Sequence, residues 1–187
     1  MQSLIYKLIK PGKSVKKHNK LVRGRVKVSN STCSRILAVL IACIKENDTD
    51  LAESYSVAIK DYLPDEGGVY YTLVRNACDK LIESSVEVEM IEDDGKPSLD
   101  FRSFFTQIKY KDGIVTARFN PLLQEFLVGL KRNFTQVSLK EYLALSSSYT
   151  RTLFELLSSW QRLPSGEYVE NIEKLHFLLG TVRYAPR

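Results

Sequence analysis

Apolar side chains at Ile36, Leu37, Leu40, Ile41 and Ile44 recur in steps of three and four, the spacing of one helical face. Ser29-Asn30-Ser31-Thr32 in front of them supplies several N-cap candidates. A polar loop follows at Asn47-Asp48-Thr49-Asp50. A short segment from Ala58 to Leu63 then runs into Pro64-Asp65-Glu66-Gly67-Gly68, which stops it. The spacing predicts a second, longer helix over about Val69 to Ser84. Its inward positions are Tyr70, Leu73, Val74, Ala77, Leu81 and Ile82, and its outward ones are Thr72, Arg75, Asn76, Asp79, Lys80 and Glu83. Short helix, turn, longer helix is the outline of a helix-turn-helix.

The period then switches to two. Val86, Val88 and Met90 alternate with Glu87 and Glu89, which reads as a strand with one wet face. Asp93 to Pro97 reads as a loop. Phe104–Tyr110 and Ile114–Phe119 flank Lys111-Asp112-Gly113, where Asp-Gly between β-prone runs signals a hairpin. Asn120-Pro121 starts a helix whose buried face would be Leu122, Leu123, Phe126, Leu127 and Leu130. Ser138 and Glu141 have capping-box spacing before a short helix, Leu139 to Leu145. A stronger helix spans Tyr149 to Trp160, with Tyr149, Leu153, Phe154, Leu157 and Trp160 on one face. Phe134, Tyr149, Phe154 and Trp160 are expected in the core. After a turn at Pro164-Ser165-Gly166, a last amphipathic stretch, Asn171 to Leu179, ends at Gly180. Helices followed by a β-hairpin predict an α+β fold: a winged helix-turn-helix domain with additional helices and a β-hairpin wing.

Charge changes this picture at one end. Eleven Lys and Arg precede Glu46, the first acidic residue, out of 27 basic and 22 acidic side chains in 187 residues. A cationic head on a domain of otherwise ordinary charge suits a polyphosphate partner, with nucleic acid ahead of an anionic membrane surface. Residues 1–20 read as a basic flexible arm carrying Lys13, Lys16, Lys17 and Lys20, and residues 21–187 as the folded domain. A composition of 44% hydrophobic residues supports a real core. No apolar run approaches the roughly 20 residues of a membrane span.

Little in the chain suggests catalysis. Cys33, Cys43 and Cys78 are widely spaced, and His18 and His176 have no ligand-like neighbours, so buried free thiols and no metal or cofactor are expected. Gly12-Lys13-Ser14 imitates the end of a P-loop, but its first glycine would fall at Lys7. The two histidines also cannot supply the closely spaced pair that a metal-dependent nickase requires.

Three segments nevertheless line up in order: HNKLVRGRVKVS (His18–Ser29), FFTQIKYKDGIVTARF (Phe104–Phe119) and FNPLLQEFLVGLKRNFTQVSLKEYLALSSSYTRTLFELLSSW (Phe119–Trp160). Together they resemble the plasmid replication initiator proteins that bind iteron repeats, over about residues 17–180. The resemblance implies the N-terminal of two winged-helix modules, with the second outside this chain. It also implies a non-enzymatic, dimerising protein of the bacterial cytoplasm. Its partners would be double-stranded origin DNA, a second copy of itself and a host helicase or host initiator.

Arg23, Arg25 and Lys27 alternate with Val22, Gly24 and Val26, so an extended segment would set three cations on one edge, against phosphates. With them, Lys20, Tyr71, Thr72, Arg75, Asn76, Lys80, Lys131 and Arg132 are the candidate DNA-contact residues. Asp79 and Glu83 oppose deep groove insertion, which favours phosphate anchoring over base readout. Lys131 and Arg132 also suit the negative end of the preceding helix. The hairpin residues Phe104, Thr106, Ile108, Tyr110, Ile114, Thr116 and Arg118 are the candidate dimer surface, through an exposed strand edge. The alternative function is a protein-interaction module with incidental DNA contact.

Overall fold

A computed structural model describes residues 8–63, 69–161 and 169–181. The expected breakers at Pro64–Gly68 and Pro164–Gly166 lie outside those residues. The elements, in order, are β1 (Ser14–His18), α1 (Asn19–Val22), β2 (Arg25–Lys27), α2 (Ser31–Ile41), β3 (Tyr55–Ala58), a 3-10 turn (Ile59–Tyr62), α3 (Tyr70–Leu81), β4 (Ser85–Ile91), β5 (Pro97–Ser103), β6 (Phe105–Lys111), β7 (Ile114–Phe119), a 3-10 turn (Pro121–Leu123), α4 (Gln124–Leu127), β8 (Phe134–Ser138), α5 (Leu139–Ala144), α6 (Ser148–Trp160) and α7 (Ile172–Leu178).

Helix α2 is the central element. Its N-cap is Asn30, whose side chain accepts from the Cys33 amide, and most of its side chains are buried. Around it lie three antiparallel sheets: β1-β8, β2-β4-β5 and β3-β7-β6. The last, together with α2, the first 3-10 turn and α3, is the expected winged-helix unit. Its hairpin closes at Asp112 (φ 50°) and Gly113 (φ 76°), two positive angles that suit a type I′ turn. Strands β4 and β5 are inserted between α3 and the hairpin, and β2, from before α2, pairs with β4 to complete their sheet. Gly24 lets β2 approach β4 closely, because a Cβ there would sit 2.8 Å from the Glu87 carbonyl oxygen.

Several expectations are corrected. The flexible arm of residues 1–20 does not extend through its last part. Ser14–His18 pairs with Phe134–Ser138 over five residues, Asn19 opens α1, and Ile9 donates its amide to the Ser56 carbonyl. Residues 1–7 lie outside the described residues. Lys17 is buried and ion-pairs with Glu155, with Nζ–O separations of 2.5 and 2.7 Å to the two oxygens. The helix after Pro121 ends at Leu127, because Gly129 turns with φ 65°, and Leu122 is exposed rather than buried.

Helix α6 is the sharpest correction. It buries Arg151, Glu155 and Leu156 and leaves Tyr149, Leu153 and Leu157 exposed. Tyr149, at 53% exposure, is not a core residue. The inversion is stable because both buried charges have partners. Arg151, with 0% exposure, donates to the carbonyls of Tyr142, Leu145 and Ser31 and to the hydroxyls of Ser31 and Ser34. Glu155 is held by Lys17. Strand β8 carries no period strong enough to announce it in the sequence.

Candidate nucleic-acid interface

On α3, Tyr71, Thr72, Arg75, Asn76 and Lys80 are all exposed, while Val74, Ala77, Cys78 and Leu81 face the core. The outward face is therefore the one the sequence predicts. Asp79 and Glu83 share the exposed side. The Tyr71 ring packs against Tyr110 of β6, with centroids 5.3 Å apart, which ties the helix to the hairpin beside it.

The three cations expected on one edge are split. Arg23 caps the C-terminal end of α1, and only Arg25 and Lys27 lie in β2. Each of the three is covered by an aromatic ring from a different element. Arg23 lies over Trp160 at 3.6 Å and donates to the Ser159 carbonyl at 2.9 Å. Arg25 lies over Phe177 of α7 at 4.8 Å. Lys27 lies over Phe101 at 5.4 Å and pairs with Glu87 at 3.4 Å. Such cation–π contacts brace each of these groups against the fold.

Lys20 and the loop of Lys131 and Arg132 come to lie near each other instead, with the Lys20 ammonium itself 3.8 Å from the sulfur of Met90 on β4. The Asn19 amide donates to the Asn133 carbonyl at 2.7 Å, so the loop carrying Lys131 and Arg132 lies against the start of α1. All three lysine and arginine side chains are exposed. They lie beyond the end of α4, so the helix dipole does not account for Lys131 and Arg132. His18 caps α1 through Nδ1, which accepts from the Lys20 amide at 3.1 Å. Burial, then the neighbouring Lys20 charge, lowers the His18 pKa.

The candidate dimer surface is also redistributed. Phe104, at 1% exposure, is core. Ile108 and Tyr110 pack against the core. Ile114, Thr116 and Arg118 lie on β7, an interior strand hydrogen-bonded to β3 on one side and β6 on the other, so they offer no edge. Thr116 shares a hydroxyl contact of 2.8 Å with Ser56, and Arg118 pairs with Glu53. Of the set, only Thr106 is exposed on the outer strand β6. The apolar edge that sequence reasoning missed is β5. Its Leu99 and its Phe101, at 62% exposure, share a face with Ile91 of β4. The signal for it was present in the alternation Leu99-Asp100-Phe101-Arg102.

The thiols behave as expected of structural groups. All three are free and buried, and burial pushes Cys43 and Cys78 up to about 12. Among the described residues no group of His, Cys, Asp and Glu is arranged to hold a metal, and no helix is long and apolar enough to cross a membrane.

Residues 14–158 match the model of a family described as initiator replication protein, WH1. Among solved structures, the Pi initiator protein in complex with iteron DNA is similar in fold. Its TM-score is 0.65 at 16% identity, covering 91% of this chain and 74% of that one. The WH1 domain of MSBI1.176, a replication protein isolated from a multiple sclerosis patient, aligns at a TM-score of 0.35 and 19% identity, over 50% of this chain and 70% of that one. At that score the likeness carries no weight. Among curated proteins none matches. With the family match spanning most of its length and the winged-helix fold in place, this chain belongs to the initiator replication protein family, whose WH1 domain it carries.

Proposed function

We propose that this chain binds double-stranded plasmid origin DNA as a non-enzymatic initiator module, through two groups of exposed residues. One is the outward face of α3, where Arg75 and Lys80 meet phosphates and Thr72 and Asn76 face the groove. The other is the ridge of Lys20, Lys131 and Arg132. That ridge is the observation that carries the reading: the fold sets exposed Lys20 beside a loop over a hundred residues away whose exposed Lys131 and Arg132 no helix end accounts for. Arg23 and Arg25 serve packing rather than DNA contact. Residues 9 and 14–20 then belong to the folded unit rather than to an arm. The Pi initiator protein, similar in fold, is in complex with iteron DNA, which supports repeats of that kind as the target.

Salt-dependent binding to iteron-bearing and random duplexes tests this. Tighter binding to the iteron duplex, with affinity falling steeply as salt rises, is expected. Equal, salt-insensitive and weak binding to both would refute it.

A second reading, self-association, is supported by β5. The strand ends its sheet, exposes Leu99 and Phe101, and carries Asp100 and Arg102 on either side of Phe101. An antiparallel copy paired about Phe101 would set each Asp100 opposite the partner's Arg102, an isologous contact. Dimerisation as the switch between autorepression and initiation, with a host helicase or host initiator as a further partner, is consistent with this surface.

A further inference from the structure

We propose that the cleft of about 410 Å³ between β2, the C-terminal end of α3 and the first turns of α6 receives the phosphate of a small ligand of mononucleotide size. Its volume falls in the range of roughly 300–1,000 Å³ usual for small-molecule sites. The cleft shares Lys80 with the DNA-facing side of α3, but it is recessed, and its other cation, Arg25, is not one of the DNA contacts.

The charge balance of the cleft selects an anion. Lys17 and Glu155, on its floor, neutralise each other. Lys27 has a partner in Glu87 at 3.4 Å, outside the cleft lining. That leaves the guanidinium of Arg25 and the ammonium of Lys80 facing the single carboxylate of Glu83. The Arg25 Nε is shielded from solvent and has no hydrogen-bond partner, an arrangement that costs stability unless a ligand acceptor completes it. Phe177 braces the same guanidinium from the α7 side, so it is held in place before any ligand arrives.

Helix α6 adds a donor. It is thirteen residues long, has no acidic residue in its first turn, and turns Ser148 and Thr152 toward the cleft. The Ser147 hydroxyl caps the Thr150 amide and the Thr152 hydroxyl donates to the Ser148 carbonyl at 3.1 Å, so the Ser148 hydroxyl is the group that α6 presents to the cleft. A guanidinium with a free Nε, an ammonium and a hydroxyl around one cavity are donors that suit the oxygens of a phosphate. A duplex backbone lies across the mouth of such a cleft and cannot seat a phosphate at the depth of Arg25, which favours a free phosphorylated molecule.

Calorimetric titration of the whole chain with ADP, inorganic phosphate and adenosine, at fixed ionic strength, tests the site. Saturable one-to-one binding is expected for ADP, weaker binding for inorganic phosphate, and none for adenosine. Arg25→Met should weaken ADP binding roughly tenfold or more, the loss of one charge-assisted contact, while Lys140→Ala on the exposed side of α5 leaves it unchanged. If Arg25→Met fails to fold, Lys80→Met carries the same expectation from an exposed position. Absence of saturable ADP binding at millimolar concentration, equal binding of ADP and adenosine, or indifference to both variants would overturn the proposal. Stoichiometric displacement of ADP by duplex DNA would reassign the cleft to a DNA phosphate and overturn it equally.

Discussion

Replacing Lys17 by Met would strip the counter-charge from a carboxylate with almost no access to water. Both side chains are 8% exposed, the Nζ lies 2.5 Å from one oxygen of Glu155 and 2.7 Å from the other, and the pair joins β1 to α6 across 138 residues of chain. Leaving one member of a buried pair unmatched costs about 3–5 kcal/mol. For a domain of this size each kcal/mol moves the melting temperature by about 2–4 °C, so Lys17→Met should lower it by about 6–20 °C. Glu155→Leu should behave alike. The double variant, Lys17→Met with Glu155→Leu, removes both desolvated charges at similar volume and should lie within about 1 kcal/mol of the parent. Urea and thermal unfolding of the four proteins close the cycle, and the coupling energy reads the pair directly. A double variant as unstable as the sum of the two single ones would refute the reasoning, since the loss would then come from packing and not from a stranded charge. The same pair predicts that deleting residues 1–20 lowers the melting temperature; an unchanged melt would restore the flexible arm.

Arg75→Ala with Lys80→Ala should weaken duplex binding and reduce the salt slope by about 2 while leaving the melting temperature nearly unchanged; a large fall in stability would mean the face is misassigned. Phe101→Lys with Leu99→Lys should abolish any concentration-dependent association in sedimentation without unfolding the domain, and a persisting dimer would exclude the β5 edge. His18 has a lowered pKa in the folded state, so the unfolded chain takes up its proton first as pH falls. Its contribution is present above about 6.5 and is lost on acidification below it, as the Nδ1 cap of α1 becomes a donor. His18→Asn, which can still cap, should flatten that part of the stability–pH curve; an unaltered slope would assign it to another group.

Local chemistry made much of this molecule legible from the residues alone. Asn30 caps α2, Asp112-Gly113 turns the β6–β7 hairpin, Ser138 caps α5, and α3 keeps its polar side in water. Each depends on neighbours a few positions away, so the sequence carries the signal. What escaped reading depends on partners far along the chain. Lys17 reads as one more cation in a basic head, and only Glu155, on a helix near the other end, makes it a buried group. The stripe Tyr149, Leu153, Leu157 has ideal core spacing, yet α6 turns it outward because carbonyls of the α5–α6 connection and hydroxyls of α2 satisfy Arg151 more fully than water would allow on that side. Arg23 looks like a DNA-phosphate ligand until Trp160 is seen over it, with the Ser159 carbonyl accepting from its guanidinium. Likewise, Lys20 comes near Lys131 and Arg132 because β1 pairs with β8 and the Asn19 amide then bonds the Asn133 carbonyl. Periodicity reports which residues can share a face; which face is buried, and which charges stay free for a partner, is decided by the groups that tertiary packing sets opposite them.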